Sequence, residues 1–354
     1  MNLILERLYN QHLGGTPFAT PDEVVRWFGA VQAQDFPGSL WAIGMRVKNA
    51  TEATVEQAIA ERKIIRTWPM RSTLHFVSPE DVRWMLKLLT PRVIARSQAR
   101  CRQLELDAMV FARSRKLFEK ALRDGKQLAR NTLYAVLNAA GVSTSDSRGL
   151  HILARLAQDG VICFGPRAGK QQTFVLLDEW VPPAMQIEQE VALAKLAERY
   201  FNSHGPATLY DFVWWSGLKV SDARAGVELA KAALAEDRIN GQSYWMAPNA
   251  SRAKKSATAH LLPSYDEYTV GYKDRSALID SAHVKLLDPV RSIFSPTLLI
   301  NGKIVGMWKR TFQKESVFIS PVLFTRLRPG ERHSLTKTVN RYAEFLGLPA
   351  VMSE

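Results

Sequence analysis

Two carboxamides and a carboxylate stand together at Gln32-Ala33-Gln34-Asp35. An amide oxygen can accept a hydrogen bond from water and turn partial negative charge toward a developing cation; a carboxylate can do the same as a true base. Residues two apart point to nearly opposite sides of a helix but share a face of extended chain, so Gln32 and Gln34 converge only where a helix has ended. The residues that follow, Asp35-Phe36-Pro37-Gly38, are turn chemistry, and Phe36 before Pro37 is steered away from the helical region. From pattern alone the pair reads first as a solvated helix terminus.

A second group lies in Arg66–Val77, RTWPMRSTLHFV. Alternation places Trp68, Met70, Leu74 and Phe76 on one face and Arg71, Thr73 and His75 on the other. The polar face offers a cation, a hydroxyl and an imidazole to phosphate or a bound base, and Arg66 at the start of the run is a further candidate for DNA contact; the competing reading is one solvated strand face. A third group is Leu261–Arg275, LLPSYDEYTVGYKDR, with Asp266, Tyr268, Lys273 and Arg275. Tyrosine and arginine together can stack on bases and grip phosphate, or form a loop with local ion pairs. Trp214-Trp215 at helical spacing reads as core before it reads as a stacking platform.

These groups need elements to hold them, and the chain repeats itself in supplying them. Thr132–Arg148 (TLYAVLNAAGVSTSDSR) and Thr208–Arg224 (TLYDFVWWSGLKVSDAR) align without a gap, sharing Thr, Leu, Tyr, Gly, Ser, Asp and Arg. Each copy predicts a short helix ended by Gly141 or Gly217 in a left-handed cap, a turn, and a second helix capped by Ser145 or Ser221. A hairpin follows each: 161–177 after the first, and 238–246 around Asn240-Gly241 after the second. Helix, turn, helix and hairpin make a winged helix. A weaker third copy opens the chain, where Thr20, Val25, Trp27 and Gly29 match Thr208, Val213, Trp215 and Gly217. Thr20-Pro21-Asp22-Glu23 is a capping box with Pro at the first helical position, and a helix at 55–62 and a hairpin at 64–77 complete that copy.

The fold expected is therefore mainly α with β-hairpins (α+β): three tandem winged-helix units at 1–90, 91–181 and 182–258, then a small β-rich domain at 259–354. Strand-like runs at 270–272, 297–300, 303–308 and 317–319, with a hairpin turn at Asn301-Gly302, carry the last expectation. Pro182-Pro183 marks a linker before a helix at 187–201.

A formal net charge of +13 makes a polyanion the natural partner. Several chemistries have no signature here. Phosphate-cradling glycine loops and the Gly-x-Ser-x-Gly elbow are missing, the seven histidines are scattered, and neither Cys101 nor Cys163 has metal-ligand spacing. No cofactor or metal is expected. The amino terminus lacks a signal pattern and no run is long enough to span a membrane, so a reducing cytoplasmic, nucleoid-associated setting is expected, without membrane partner.

The same stretches make the sequence similar to one family, the AlkZ-like DNA glycosylases. The matching pieces are Gln32-Ala33-Gln34, Arg66–His75, Leu261–Asp266, Gly271–Arg275 and Gly302–Trp308, which span nearly the whole chain in family order. The resemblance implies tandem winged helices and a β-rich carboxy-terminal domain around a positively charged DNA channel. Its signature of Gln, hydrophobic residue, Gln implies catalytic roles for Gln32 and Gln34, and the branch that unhooks bulky cross-links rather than the one ending in Asp. Thr73 and His75 match a hairpin motif near the lesion, and Trp308 falls in the last matching piece. Ser72 stands where Gly is expected.

What the resemblance implies chemically is hydrolysis of the N-glycosidic bond of purines made cationic by N7 or N3 alkylation, in double-stranded DNA; three winged-helix units in one chain remove the need for a dimer, so a monomer is expected. Asp35 is the rival to Gln34 for activating water. The alternative to an enzyme is a non-catalytic winged-helix DNA-binding protein or transcriptional regulator.

Overall fold

Glu23 sets the second helix of the chain, which follows helix Leu3–Asn10. Its Oε2 accepts the main-chain N–H of Ala19 at 2.8 Å and of Thr20 at 3.0 Å, closing the capping box ahead of helix Pro21–Phe28. Gly29 then takes φ +76° and stops it, a conformation that glycine adopts without steric penalty. The computed structural model describes residues 2–183, 186–248, 258–286 and 294–353.

The chain divides into two compact units. The first comprises residues 1–55, 193–215 and 219–354; the second comprises 56–192 and 216–218.

In the second unit, five strands lie in the order Thr73–Val77, Ile65–Met70, Ile162–Phe164, Thr173–Leu176, Leu128–Ala129. Helices Arg130–Ala139 and Arg148–Gln158 pack on this sheet through Leu133, Leu137, Ile152, Leu153 and Leu156, which meet Trp68, Phe164 and Phe174 in one apolar cluster. This is the predicted helix-turn-helix with its hairpin, and Gly141 sits at φ +75° as expected. The second helix begins later than read, at Arg148 with Ser147 before it; Ser145 lies in a polar turn with Ser143.

In the first unit, helices Leu209–Ser216 and Val220–Ala230 and the hairpin Ala235–Ile239 with Gln242–Met246 form the matching copy, apart from the Ser216–Leu218 turn, which clusters with the second unit. Ser221 is inside the helix rather than capping it, because Val220 is already helical. Asn240 and Gly241 both have positive φ, as a two-residue hairpin turn requires.

Helix Pro329–Leu346 and a five-stranded sheet dominate the carboxy-terminal half. The strand order is Ala350–Met352, Val317–Leu323, Lys303–Phe312, Thr297–Ile300, Ala259–Leu262, antiparallel except for the first pair. The 18-residue helix was not expected in a β-rich segment. Its Tyr342 and Phe345 pack on Trp41, with ring centroids 4.9 and 5.1 Å away. The run at 270–272 is not a strand: Glu267–Val270 is a short helix capped by Asp266, whose Oδ1 accepts the Tyr268 N–H. The expected boundary at 258 adjoins residues 249–257, which lie outside the described residues.

Candidate active site

Helix Pro21–Phe28 ends at Gly29, and the chain runs extended through Ala30–Gln32 before bending at Gln34 and Asp35 into helix Phe36–Gly44. The bend breaks the alternation that would have put both glutamines on one face. Gln32 is 6% exposed, whereas Gln34 is exposed and Asp35 half-buried. Gln34 and Asp35 thus lie at the tip of the loop, and Gln32 is its root. Gly38 makes room for the Asp35 carboxylate: a Cβ at Gly38 would lie 2.4 Å from Asp35 Oδ2.

The root is tied to a buried polar cluster in the same unit. The main-chain N–H of Gln32 donates to Glu267 Oε1 at 2.8 Å. Glu267 Oε2 accepts Trp215 Nε1–H at 2.9 Å and lies 3.2 Å from His204 Nε2. Next to Glu267, Asp266 receives both Nη atoms of Arg46 at 2.8 Å. Arg46 also donates to the carbonyls of Gln11 and Ala42 and to Gln11 Oε1, so all five guanidinium N–H groups have acceptors. Gln11 in turn donates to the Tyr272 hydroxyl at 3.0 Å. Burial holds the Tyr268 and Tyr272 hydroxyls protonated, and it pulls the His204 imidazole below its ordinary range against the raising influence of Glu267.

Three expected DNA contacts are corrected by this packing. Asp266, Tyr268 and Trp308 are 1%, 0% and 2% exposed, because they close the core beneath the loop rather than facing outward. Tyr268 donates its hydroxyl to the Gly302 carbonyl and Trp308 its indole N–H to Leu262. Lys273 and Arg275 do reach solvent or its edge. The Lys273 ammonium lies 5.3 Å over the ring of Tyr210 and the Arg275 guanidinium 5.1 Å over Trp214, and both rings are exposed. Trp215 is core, as read; Trp214 is not.

The hairpin of the second unit pairs Arg66 with Phe76, Thr67 with His75 and Met70 with Thr73. Its turn residues Arg71 and Ser72 both have positive φ, at +53° and +61°. That is the geometry in which glycine is favoured, which explains why Ser72 stood out as a departure. The polar face is solvated only in part: His75 is fully buried, while Arg71 and Thr73 are half-buried. His75 Nδ1 lies 3.1 Å from the Thr73 carbonyl, and Nε2 lies 3.2 Å from Arg71 Nη2. A carbonyl only accepts and a guanidinium only donates, so the ring is the neutral Nδ1–H tautomer with Nε2 accepting. Arg66 is buried too, stacked 4.6 Å from the Phe164 ring centroid and bonded to Gln172 Oε1 at 3.0 Å.

Sequence reasoning passed over Arg46, Gln11, His204 and Glu267. A signal existed for two of them. Arg46 interrupts the apolar run 40–47, and Glu267 follows Asp266 in a stretch otherwise rich in Leu, Tyr and Val. A charge in such company is either a mistake of register or a buried partner. Among the described residues no cluster of His, Cys, Asp and Glu could hold a metal ion, and no helix is long and apolar enough to cross a membrane.

The chain combines helix-turn-helix pairs followed by hairpins with a loop of two amides and a carboxylate, and the class of protein that its family match gives is a DNA glycosylase. Residues 25–345 match the family described as DNA glycosylase AlkZ-like, and the chain belongs to that family. It is 26% identical over 336 residues to the interstrand DNA cross-link repair glycosylase of Streptomyces sahachiroi, covering 86% of this chain and 85% of that protein. The solved structure of Streptomyces sahachiroi DNA glycosylase AlkZ has the same fold, with a TM-score of 0.80 at 20% identity over 99% of this chain and 98% of that one. The protein is a DNA-repair enzyme that hydrolyses N-glycosyl bonds.

Proposed function

We propose that this glycosylase removes purines alkylated at N7 or N3 from duplex DNA, and that it unhooks interstrand cross-links through the same bond. The observation that carries the reading is the Gln32-Ala33-Gln34 loop, with its root buried and its Gln34 tip exposed, in a chain of this family. The curated relative acts, by its name, on interstrand cross-links.

Breaking the bond between a base and deoxyribose passes through a sugar cation, as in other glycoside hydrolysis. A purine alkylated at N7 or N3 already carries positive charge and departs as a neutral base, so the leaving group needs no general acid. What the enzyme must supply is a water aimed at C1′ and negative potential beside the cation. The Gln34 side-chain oxygen accepts a hydrogen bond from that water and turns a lone pair of the water toward C1′; its dipole stabilises the cation. Gln32 supports the loop from below. Amides are weak bases, which restricts the reaction to labile lesions. Asp35 is the second candidate for water activation.

We read the chain further as three consecutive winged-helix copies, 1–90, 91–181 and 182–258, followed by the carboxy-terminal segment, working as a monomer. Arg71, Thr73 and His75 serve the hairpin beside the lesion; Lys273 and Arg275 meet the phosphates. The net charge of +13 supports this by favouring a polyanion.

The test is base release from duplexes carrying N7-methylguanine, a larger N7 adduct or an interstrand cross-link, with Gln34→Ala and Asp35→Asn beside the wild type. Gln34→Ala should abolish release on all three while DNA affinity stays within a few-fold. Full activity of Gln34→Ala with loss in Asp35→Asn would transfer the water to the carboxylate. Release of none of these bases by the wild type would sink the substrate assignment.

A further inference from the structure

Glu267 has no part in the chemistry just described, yet three N–H groups from three separate stretches of chain converge on its carboxylate. Oε1 takes the Gln32 main-chain N–H at 2.8 Å, and Oε2 takes Trp215 Nε1–H at 2.9 Å and faces His204 Nε2 at 3.2 Å. The residue is 1% exposed. A buried carboxylate is tolerated only when such partners replace water, and once they do, its rotamer is fixed. Its own backbone is fixed as well. Asp266, one residue before, is clamped by Arg46, and the Glu267 carbonyl accepts from Gln11 Nε2.

The shortest of the three bonds reaches the backbone of the residue at which the extended segment ends and the Gln34–Asp35 bend begins. A bond to the main chain holds the path of the chain whatever side chain is present. Two residues of chain, at most about 7 Å, separate this anchor from Gln34, so a shift at Gln32 is passed on to the tip almost whole. A displacement of about 1 Å at a reacting group can slow catalysis about a hundredfold.

We infer that Glu267 is the positioning residue of base excision: by holding the Gln32 main chain, it presents Gln34 and Asp35 to the sugar in a single orientation. The inference rests on the reading of this loop as the reacting site.

The experiment is single-turnover excision of N7-methylguanine from duplex DNA, with enzyme in excess and amplitude and rate constant read separately. Glu267→Gln replaces one oxygen with a donor that faces other donors. It should lower the rate constant about ten- to a hundredfold, with full amplitude and with DNA affinity unchanged by anisotropy. Glu267→Asp, which keeps the charge but shortens the reach by one methylene, should act in the same direction. A merely structural role would lower amplitude at an unchanged rate constant, and that result overturns the inference. If Glu267→Gln does not fold, Trp215→Phe removes one orienting donor while keeping a ring, and a lowered rate constant at full amplitude is again required. The loop reading fails separately: if Gln34→Ala excises at the wild-type rate, that reading falls. Glu267 then stands, with Asp35 as the group it positions, only if its own variants remain slow.

Discussion

Both terminal nitrogens of Arg46 lie 2.8 Å from the two carboxylate oxygens of Asp266, with the two side chains 2% and 0% exposed. A fork-to-fork pair of this kind, out of water, fixes geometry as much as energy. Removing one partner strands the other charge in the core, and such breaks cost about 3–5 kcal/mol. Arg46→Ala and Asp266→Ala should each lower unfolding stability by that order in denaturant titrations. Arg46→Lys should recover little, because one ammonium cannot serve five acceptor positions. Unfolding midpoints unchanged in both alanine variants would refute the account.

His204 gives the protein an acid-side weakness. Burial lowers its folded-state pKa below 6.5, so at pH below 6.5 the unfolded chain binds a proton that the folded chain resists. Stability from this group is complete above pH 6.5 and is lost as pH falls toward the folded value, at most about 1.4 kcal/mol per pH unit. Unfolding free energy followed between pH 7 and pH 5 should fall, and His204→Gln should make the fall shallower, leaving the part that the buried His260 contributes. An equal slope in the variant would place the sensitivity elsewhere.

The hairpin turn of the second unit should prefer glycine to any branched residue. Ser72 sits at φ +61°, where L-residues suffer a steric penalty of about 1–2 kcal/mol. Melting temperatures are expected in the order Ser72→Gly at or above wild type, then wild type, then Ser72→Val lowest. A valine variant as stable as wild type would mean that the turn rearranges.

Lys273 is exposed, and its ammonium lies over the Tyr210 ring. If it meets phosphate, Lys273→Ala should weaken duplex binding similarly for damaged and undamaged DNA and reduce the slope of log affinity against log salt by about one. An unaltered salt slope would remove Lys273 from the DNA surface.

What could be read from the chain without its fold is local. The Thr132–Arg148 and Thr208–Arg224 repeats announced two helix pairs, and the glycines at 141 and 217 stop their first helices with the left-handed φ values that repeat implied. The capping box at Thr20 and the turns at Asn240-Gly241 and Asn301-Gly302 likewise obey rules spanning a few residues. Exact helix starts escaped, because Ser145 and Ser221 look like caps whether or not the helix begins there.

The residues that brace the loop were beyond such rules. Gln32 and Glu267 are 235 positions apart, Arg46 and Asp266 are 220, and no spacing encodes a hydrogen bond between them. The same blindness sent Asp266, Tyr268 and Trp308 to the surface in the sequence reading, when burial makes them the support. A residue's type tells what bonds it can make. Whether those bonds face a nucleotide or the protein's own backbone depends on which distant segments exclude water from it, and only the folded chain decides that.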